Sequence, residues 1–201
     1  PYNRPYTNGW PKMLALHEGR HVTQMTHFTR GFWGGVAYVL GEQAAGAGIG
    51  IHTSGWFREG DAVDNETDWT NAGRGRNASF LMGYKAAFLN GDIRNYDRWE
   101  FGSYKHYTPD EYAFGYLLQT GMQYETGFFA KTDIYNYIID GWYKIGSMNR
   151  ANIAVAGIPL KEQWNRTVER YTNKWAEEDS LKRPFTPMDT LVNKSDRYYH
   201  S

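Results

Sequence analysis

The sequence predicts a mainly α-helical bundle assembled around one helix near its amino end. Three observations predict it. Apolar residues recur at spacings of three and four in several separate segments, the period of one helix face. Proline and glycine fall at the ends of those segments, where helices start and stop. The stretch Leu16-His17-Glu18-Gly19-Arg20-His21-Val22 sets two histidines four residues apart within such a segment, one turn above each other on one face.

Residues 1–10 are rich in Pro, Asn and Gly and read as an extended lead-in. Pro11 suits a first helical turn. One helix is expected from Lys12 to about Arg30, with Leu14, Glu18, His21, Met25 and Phe28 along one stripe and Gly31 ending it. His27 falls on another face and reads as structural. Residues 32–46 suggest a second helix weakened by glycine. The run AGAGIGIHTSG, ending at Gly55, does not match G-x-G-x-x-G and reads as a flexible connection near the site. Further helices are expected over 54–69, with Ser54 as N-cap, and over 79–90, closed by Gly91; residues 92–107 read as loop. Thr108-Pro109-Asp110-Glu111 reads as a helix start capped by Thr108, and that helix runs to about Tyr124. Segments 132–144 and 160–181 complete the set, the last burying Trp164, Val168, Tyr171 and Trp175. One domain is expected over 1–183, with 184–201 as a linker or tail, and no internal repeat stands out.

Composition narrows the function classes. Lys plus Arg and Asp plus Glu each number 22 among 201 residues, so nothing in the charge argues for nucleic acid or an anionic membrane surface. The 16 Tyr, 10 Phe and 8 Trp fit a core with wet edges or clefts, because Tyr and Trp carry polar handles. There is no cysteine, which excludes disulfides and thiolate metal sites. No apolar run approaches the ~20 residues of a membrane helix. The chain begins at Pro1 without a signal-peptide pattern and reads as a piece of something longer. The sequons at Asn65, Asn77, Asn165 and Asn193 read as accidental, since a glycan on Asn65 would crowd the segment discussed next.

His17-Glu18-x-x-His21 is the arrangement zinc hydrolysis needs. Two neutral imidazoles point at one ion, and Glu18, offset by one residue, stands near enough to take a proton from an activated water. The bland alternative is a solvated polar face carrying two histidines. A site of the two-His-one-Glu type needs a third carboxylate from a second helix and an outer acceptor that holds a ligand imidazole in its tautomer. Glu59 and Glu66, two turns apart on the next helix, fit those two roles, though Asp61, Asp64 and Asp68 make an ordinary acidic face an equally plain description. His52, seven residues before Glu59, competes as third ligand.

The segments LALHEGRHVTQ and GWFREGDAVDNET together resemble the gluzincin metallopeptidases, the peptidase-MA-like clan of thermolysin and aminopeptidase N. The second helix of those enzymes carries W-x-x-E-G-x-A…E, matched here by Trp56, Glu59, Gly60, Ala62 and Glu66. The 38 residues from His21 to Glu59 exceed the spacing in either enzyme, and the excess holds the glycine-rich run. Gly73-Arg74-Gly75-Arg76 and Gly102-Ser103-Tyr104-Lys105-His106-Tyr107-Thr108-Pro109 are similar to segments of bacterial, largely Bacteroidetes, proteins that join such a domain to a TolB-like β-propeller. The resemblance spans about residues 10–127.

The resemblance implies a zincin-like catalytic domain, with the small sheet that such enzymes set beside the H-E-x-x-H helix lying upstream of this chain. It implies Zn2+ on His17, His21 and Glu59, Glu18 as general base, a peptide or protein substrate, an extracytoplasmic location, and a covalently linked propeller in the full-length protein. It also implies an oxyanion donor: Tyr112-Ala113-Phe114-Gly115 matches a Y-x-x-G motif of aminopeptidase-like members, with Tyr107 assisting and His106 as the thermolysin-like alternative. Tyr112 and Tyr116, four apart, also fit a buried aromatic stripe. Two other functions stay open: an inactive zincin-like module that binds protein or glycan through its aromatics, and a zinc hydrolase acting on something other than peptides.

Overall fold

The computed structural model describes residues 9–182, which form ten α-helices with no strand among them. They are α1 (Trp10–His27), α2 (Gly31–Leu40), α3 (Glu42–His52), α4 (Gly55–Asp68), α5 (Ala78–Leu89), α6 (Tyr96–Phe101), α7 (Glu111–Thr126), α8 (Ala130–Asp140), α9 (Ser147–Ala156) and α10 (Leu160–Ser180), with a 3-10 turn at Arg74–Arg76. The chain is the mainly helical bundle its periodicity predicts. Residues 1–8 of the lead-in expected over 1–10, the tail from 184 onward and the sequon at Asn193 lie outside the described residues, and Trp10, the last residue of that lead-in, already belongs to α1.

α4 runs through the middle. Trp56, Phe57, Ala62 and Val63 are buried on different sides of it, as befits a helix surrounded by others. α1 packs against one flank and α7 against the other. Beyond α7, α10 lays its stripe of Trp164, Val168, Tyr171 and Trp175 into the core, as its spacing predicts. Trp164 anchors an aromatic cluster: its ring is 4.9 Å from Phe114, 5.8 Å from Phe88 and 6.1 Å from Trp99. Edge-to-face and tilted pairs of this kind add about 0.5–1.5 kcal/mol each beyond the area they bury. α8 closes a third side with Ile134, Tyr135, Ile138 and Ile139.

Several elements differ from expectation for identifiable reasons. α1 ends at His27, and Gly31 opens α2 rather than ending α1. The buried stripe of α1 is Met13, His17, Gln24 and Phe28, whereas Leu14 and Met25 are both 37% exposed. The face of α4 that meets α1 is polar, so it receives Gln24 in place of the methionine. The glycine-rich run is helical, not a flexible connection. Gly48 lies against the indole of Trp33, where a Cβ would stand 2.6 Å from the ring, so the glycine serves close packing. Residues 96–101, read as loop, form α6 behind an Asn95 cap whose side chain accepts from Arg98 N. The cap of α7 is Asp110, which accepts from Ala113 N at 3.0 Å, and Thr108 lies two residues outside it. α9 has no counterpart in the expected set. Ser54 does occupy the N-cap position of α4, but its hydroxyl donates to Glu100 at 2.8 Å instead of capping.

Candidate metal centre

Several polar contacts dock α1 on α4. Asn65 Nδ2 donates to Leu16 O at 3.2 Å, Gln24 Nε2 to Arg58 O at 3.0 Å, and Arg20 Nε to Asp61 Oδ2 at 2.8 Å. They bring Glu59 up to the two histidines. His17 Nε2 lies 3.2 Å from Glu59 Oε2 and 3.3 Å from His21 Nε2, and His21 Nε2 lies 3.4 Å from Glu59 Oε2. The three atoms form a nearly equilateral triangle. Ligands held about 2.0–2.1 Å from a tetrahedral zinc stand about 3.3–3.4 Å apart, so the triangle has the size of one face of that tetrahedron. Other first-row divalent ions have similar bond lengths, so the geometry sizes the ion without naming it. Among the described residues, His17, His21 and Glu59 are the one group of His, Asp and Glu that could hold a metal.

The electrostatics draw positive charge to the same point. Burial raises the Glu59 pKa, but the hydrogen bonds of His17 and His21 outweigh it and hold the carboxyl well below the usual range. Glu59 and Gln24 raise His21 against the opposing effect of burial. Burial also opposes charge on His17, yet Glu59 and Glu66 lift it to about 9. A proton or a metal ion placed among these groups meets the same attraction.

The outer contacts of the two histidines differ in kind. His21 Nδ1 is 2.9 Å from Gln24 Oε1, an acceptor. His17 Nδ1 is 2.7 Å from Arg74 Nη2, which can only donate, and 3.6 Å from Glu66 Oε2. Glu66 holds Arg74 through Nε at 2.6 Å, Nη2 at 3.3 Å and the backbone amide at 3.1 Å. The expected acceptor for His17 is therefore engaged by an arginine that reaches the imidazole first. That contact needs a bare Nδ1, which conflicts with the doubly protonated ring the carboxylates favour. The Arg74 contact corresponds to the neutral ring protonated on Nε2, whereas Glu59 and Glu66 favour the doubly protonated ring. An ion on Nε2 requires the opposite tautomer, with Glu66 Oε2 as the nearest acceptor.

The remaining site residues fall into three groups. Tyr112 is beside the triangle: its ring centroid is 6.0 Å from that of His17, and the Arg74 guanidinium lies 4.9 Å over it. Burial and the charge of Glu59 raise its pKa, which keeps the hydroxyl a donor. Tyr116, one turn on, is half-buried against Gly75. Glu18 is exposed on α1 next to His17, and among the described residues its carboxylate takes no hydrogen bond. Tyr107 lies over Gly83 of α5, and His106 donates its backbone amide to Ser103 Oγ; neither is a hydrogen-bonding partner of the triangle. His52 is buried away from it, with Nδ1 2.9 Å from Ser147 Oγ and its ring against Trp33. A groove of about 650 Å3 runs past the amino ends of α4 and α7, lined by His52, Ser54, Trp56, Glu100 and Glu111; none of His17, His21, Glu59 and Tyr112 is among its lining residues.

The sequence did not single out Gln24 or Arg74 as site residues. Gln24 is a polar residue three past His21, and Arg74 stands in the quoted G-R-G-R segment; neither position signals a role without the partner helix. The acidic face of α4 is mostly not a surface. Asp61 and Asp64 are buried and paired with Lys131 Nζ at 3.1 and 2.5 Å, and only Asp68 is exposed.

No family profile matches the chain, and no curated protein or solved structure does so either. No helix among the described residues is long and apolar enough to cross a membrane.

Proposed function

We propose that this domain is a zinc-dependent peptide hydrolase of the gluzincin type. The observation that carries the reading is the triangle of His17, His21 and Glu59, of the size a tetrahedral ion needs, with the Tyr112 ring 6.0 Å from that of His17 and Glu18 the residue after His17 on α1. A bound zinc would supply Lewis acidity, polarising the scissile carbonyl and acidifying a water. Glu18 then accepts the proton from the attacking water and returns it to the leaving amine. The Tyr112 hydroxyl donates to the developing oxyanion.

One contact favours a second reading, a zincin-like module that carries no metal: Arg74 donates to the very nitrogen of His17 that a metal-binding tautomer would protonate. Metal analysis of the purified domain separates the two, combined with a digest of a broad peptide library by parent and Glu18→Gln. The hydrolase reading expects about one zinc per chain in both proteins and cleavage only by the parent, because the substitution alters the base and leaves the ligands. A metal-free protein, or equal cleavage by the variant, sinks it.

A further inference from the structure

Gln24 is 1% exposed, and both ends of its amide are engaged. Nε2 donates to Asp61 Oδ2 at 2.8 Å and to Arg58 O at 3.0 Å, while Oε1 faces His21 Nδ1 at 2.9 Å. The two atoms at the Nε2 end accept hydrogen bonds: Asp61 Oδ2 also receives Arg20 Nε at 2.8 Å, and Arg58 O is a carbonyl. Turning the amide over would set Oε1 against two oxygens and leave no hydrogen between them, so the orientation is fixed by its partners. With Oε1 fixed toward the ring, only an Nδ1 that carries hydrogen satisfies both groups. Asp61 cannot move to permit another arrangement. It is fully buried and held by Arg20 from α1 and by Lys131 from α8 at 3.1 Å.

We propose that Gln24 is a positioning residue that locks His21 in the Nδ1–H tautomer, so that the Nε2 lone pair is aimed into the triangle before any ion arrives. The inference deepens the zinc reading and rests on it for its purpose, although the tautomer itself is a property of the metal-free protein. It also makes the two histidines unequal. The outer partner of His21 accepts, as ligation through Nε2 requires, whereas Arg74 beside His17 Nδ1 can only donate.

Two measurements test it. Long-range 1H–15N correlation spectra of the metal-free parent at alkaline pH, where the rings are neutral, report the tautomer of each histidine. Protonation at Nδ1 in His21 is expected, and protonation at Nε2 overturns the proposal without any variant having to fold. Zinc affinity by chelator competition is then compared between parent and Gln24→Met, which keeps the length of the side chain and removes the acceptor. Loss of an outer partner weakens metal binding about 10–100-fold, and the His21 signals should become a mixture of tautomers. Unchanged affinity with an unchanged tautomer also overturns it. A parent that shows the Nδ1–H tautomer but takes up no zinc leaves the Gln24 lock standing and removes the metalloenzyme reading instead.

Discussion

Gly60 and Gly115 meet backbone to backbone where α4 crosses α7. A Cβ on Gly60 would stand 2.2 Å from Gly115 C, and one on Gly115 would stand 2.0 Å from Trp56 O. Glu59 immediately precedes Gly60, and Tyr112 lies one turn before Gly115, so this contact sets how closely the tyrosine approaches the carboxylate. The glycine of E-G and the glycine of Y-x-x-G are two sides of one helix crossing.

Gly60→Ala and Gly115→Ala should each therefore destabilise the fold, because the obstructing atoms are backbone and cannot turn aside. Overpacking of this kind costs about 1–3 kcal/mol or more. Urea unfolding measures it. A parent-like midpoint in either variant would mean that the helices separate without cost and that the crossing does not set the site.

If the proposed reading holds, zinc content should follow the triangle and not His52 at the end of α3. Glu59→Ala removes one of the three candidate ligands and, on the proposed reading, should abolish tight zinc binding, whereas His52→Ala should retain it, since His52 is committed to Ser147. Elemental analysis after dialysis against a weak chelator decides between them. Retention in Glu59→Ala with loss in His52→Ala would move the site to the carboxyl end of α3.

Much of this arrangement could be read from the chain. α1, α4 and α10 were legible because each pairs a strong three-and-four pattern with a start or stop signal, and the helix spacing of His17 and His21 permitted one ion to be shared, with Glu59 offered as third ligand by the motif on the second helix. What stayed hidden depends on the partner surface. Glycine in α3 suggested flexibility because nothing in the sequence shows that Trp33 lies on Gly48. The rotation of the α1 stripe toward Gln24 follows from Asp61 and Arg58 on α4, and a polar residue on a buried face looks like a surface residue until its acceptors are known. Arg74 is hidden for the same reason: its role comes from Glu66 turning it toward His17.

His27 supplies a dependence on pH separate from the candidate metal centre. Its ring stacks on Tyr135 with centroids 4.9 Å apart, and Arg30 Nη2 lies 2.9 Å from Nδ1. Burial first, then the charges of Arg30 and Arg20, lower its pKa in the folded state. The unfolded chain, titrating near 6.5, then binds more protons than the folded one as the pH falls below that value. The stabilisation is present above about 6.5 and is lost as the pH falls toward the folded-state pKa. In metal-free protein, His27→Asn should show a smaller loss of urea midpoint between neutral and mildly acid pH than the parent does. Parallel pH profiles for the two proteins would show that His27 titrates alike folded and unfolded.

Tyr112 offers the sharpest test of chemistry over packing. Its ring lies between His17 and the Arg74 guanidinium, so part of what it does is structural. Tyr112→Phe keeps the ring, and with it the contacts to His17 and Arg74, and removes only the hydroxyl. If that hydroxyl donates to the oxyanion of a tetrahedral intermediate, kcat should fall about a hundredfold or more, as when an oxyanion donor is deleted. Zinc content should stay at the parent level, because Tyr112 is not one of the three atoms of the triangle, and melting temperature should move little. KM should change less than kcat, since the interaction forms only as charge develops on the carbonyl oxygen. The packing alternative makes a different forecast. A tyrosine that only fills space with Tyr116 would lose no turnover when its hydroxyl is removed, or would lose activity in step with stability. Unaltered kcat, or a loss matched by a fall in melting temperature, would assign Tyr112 to the core.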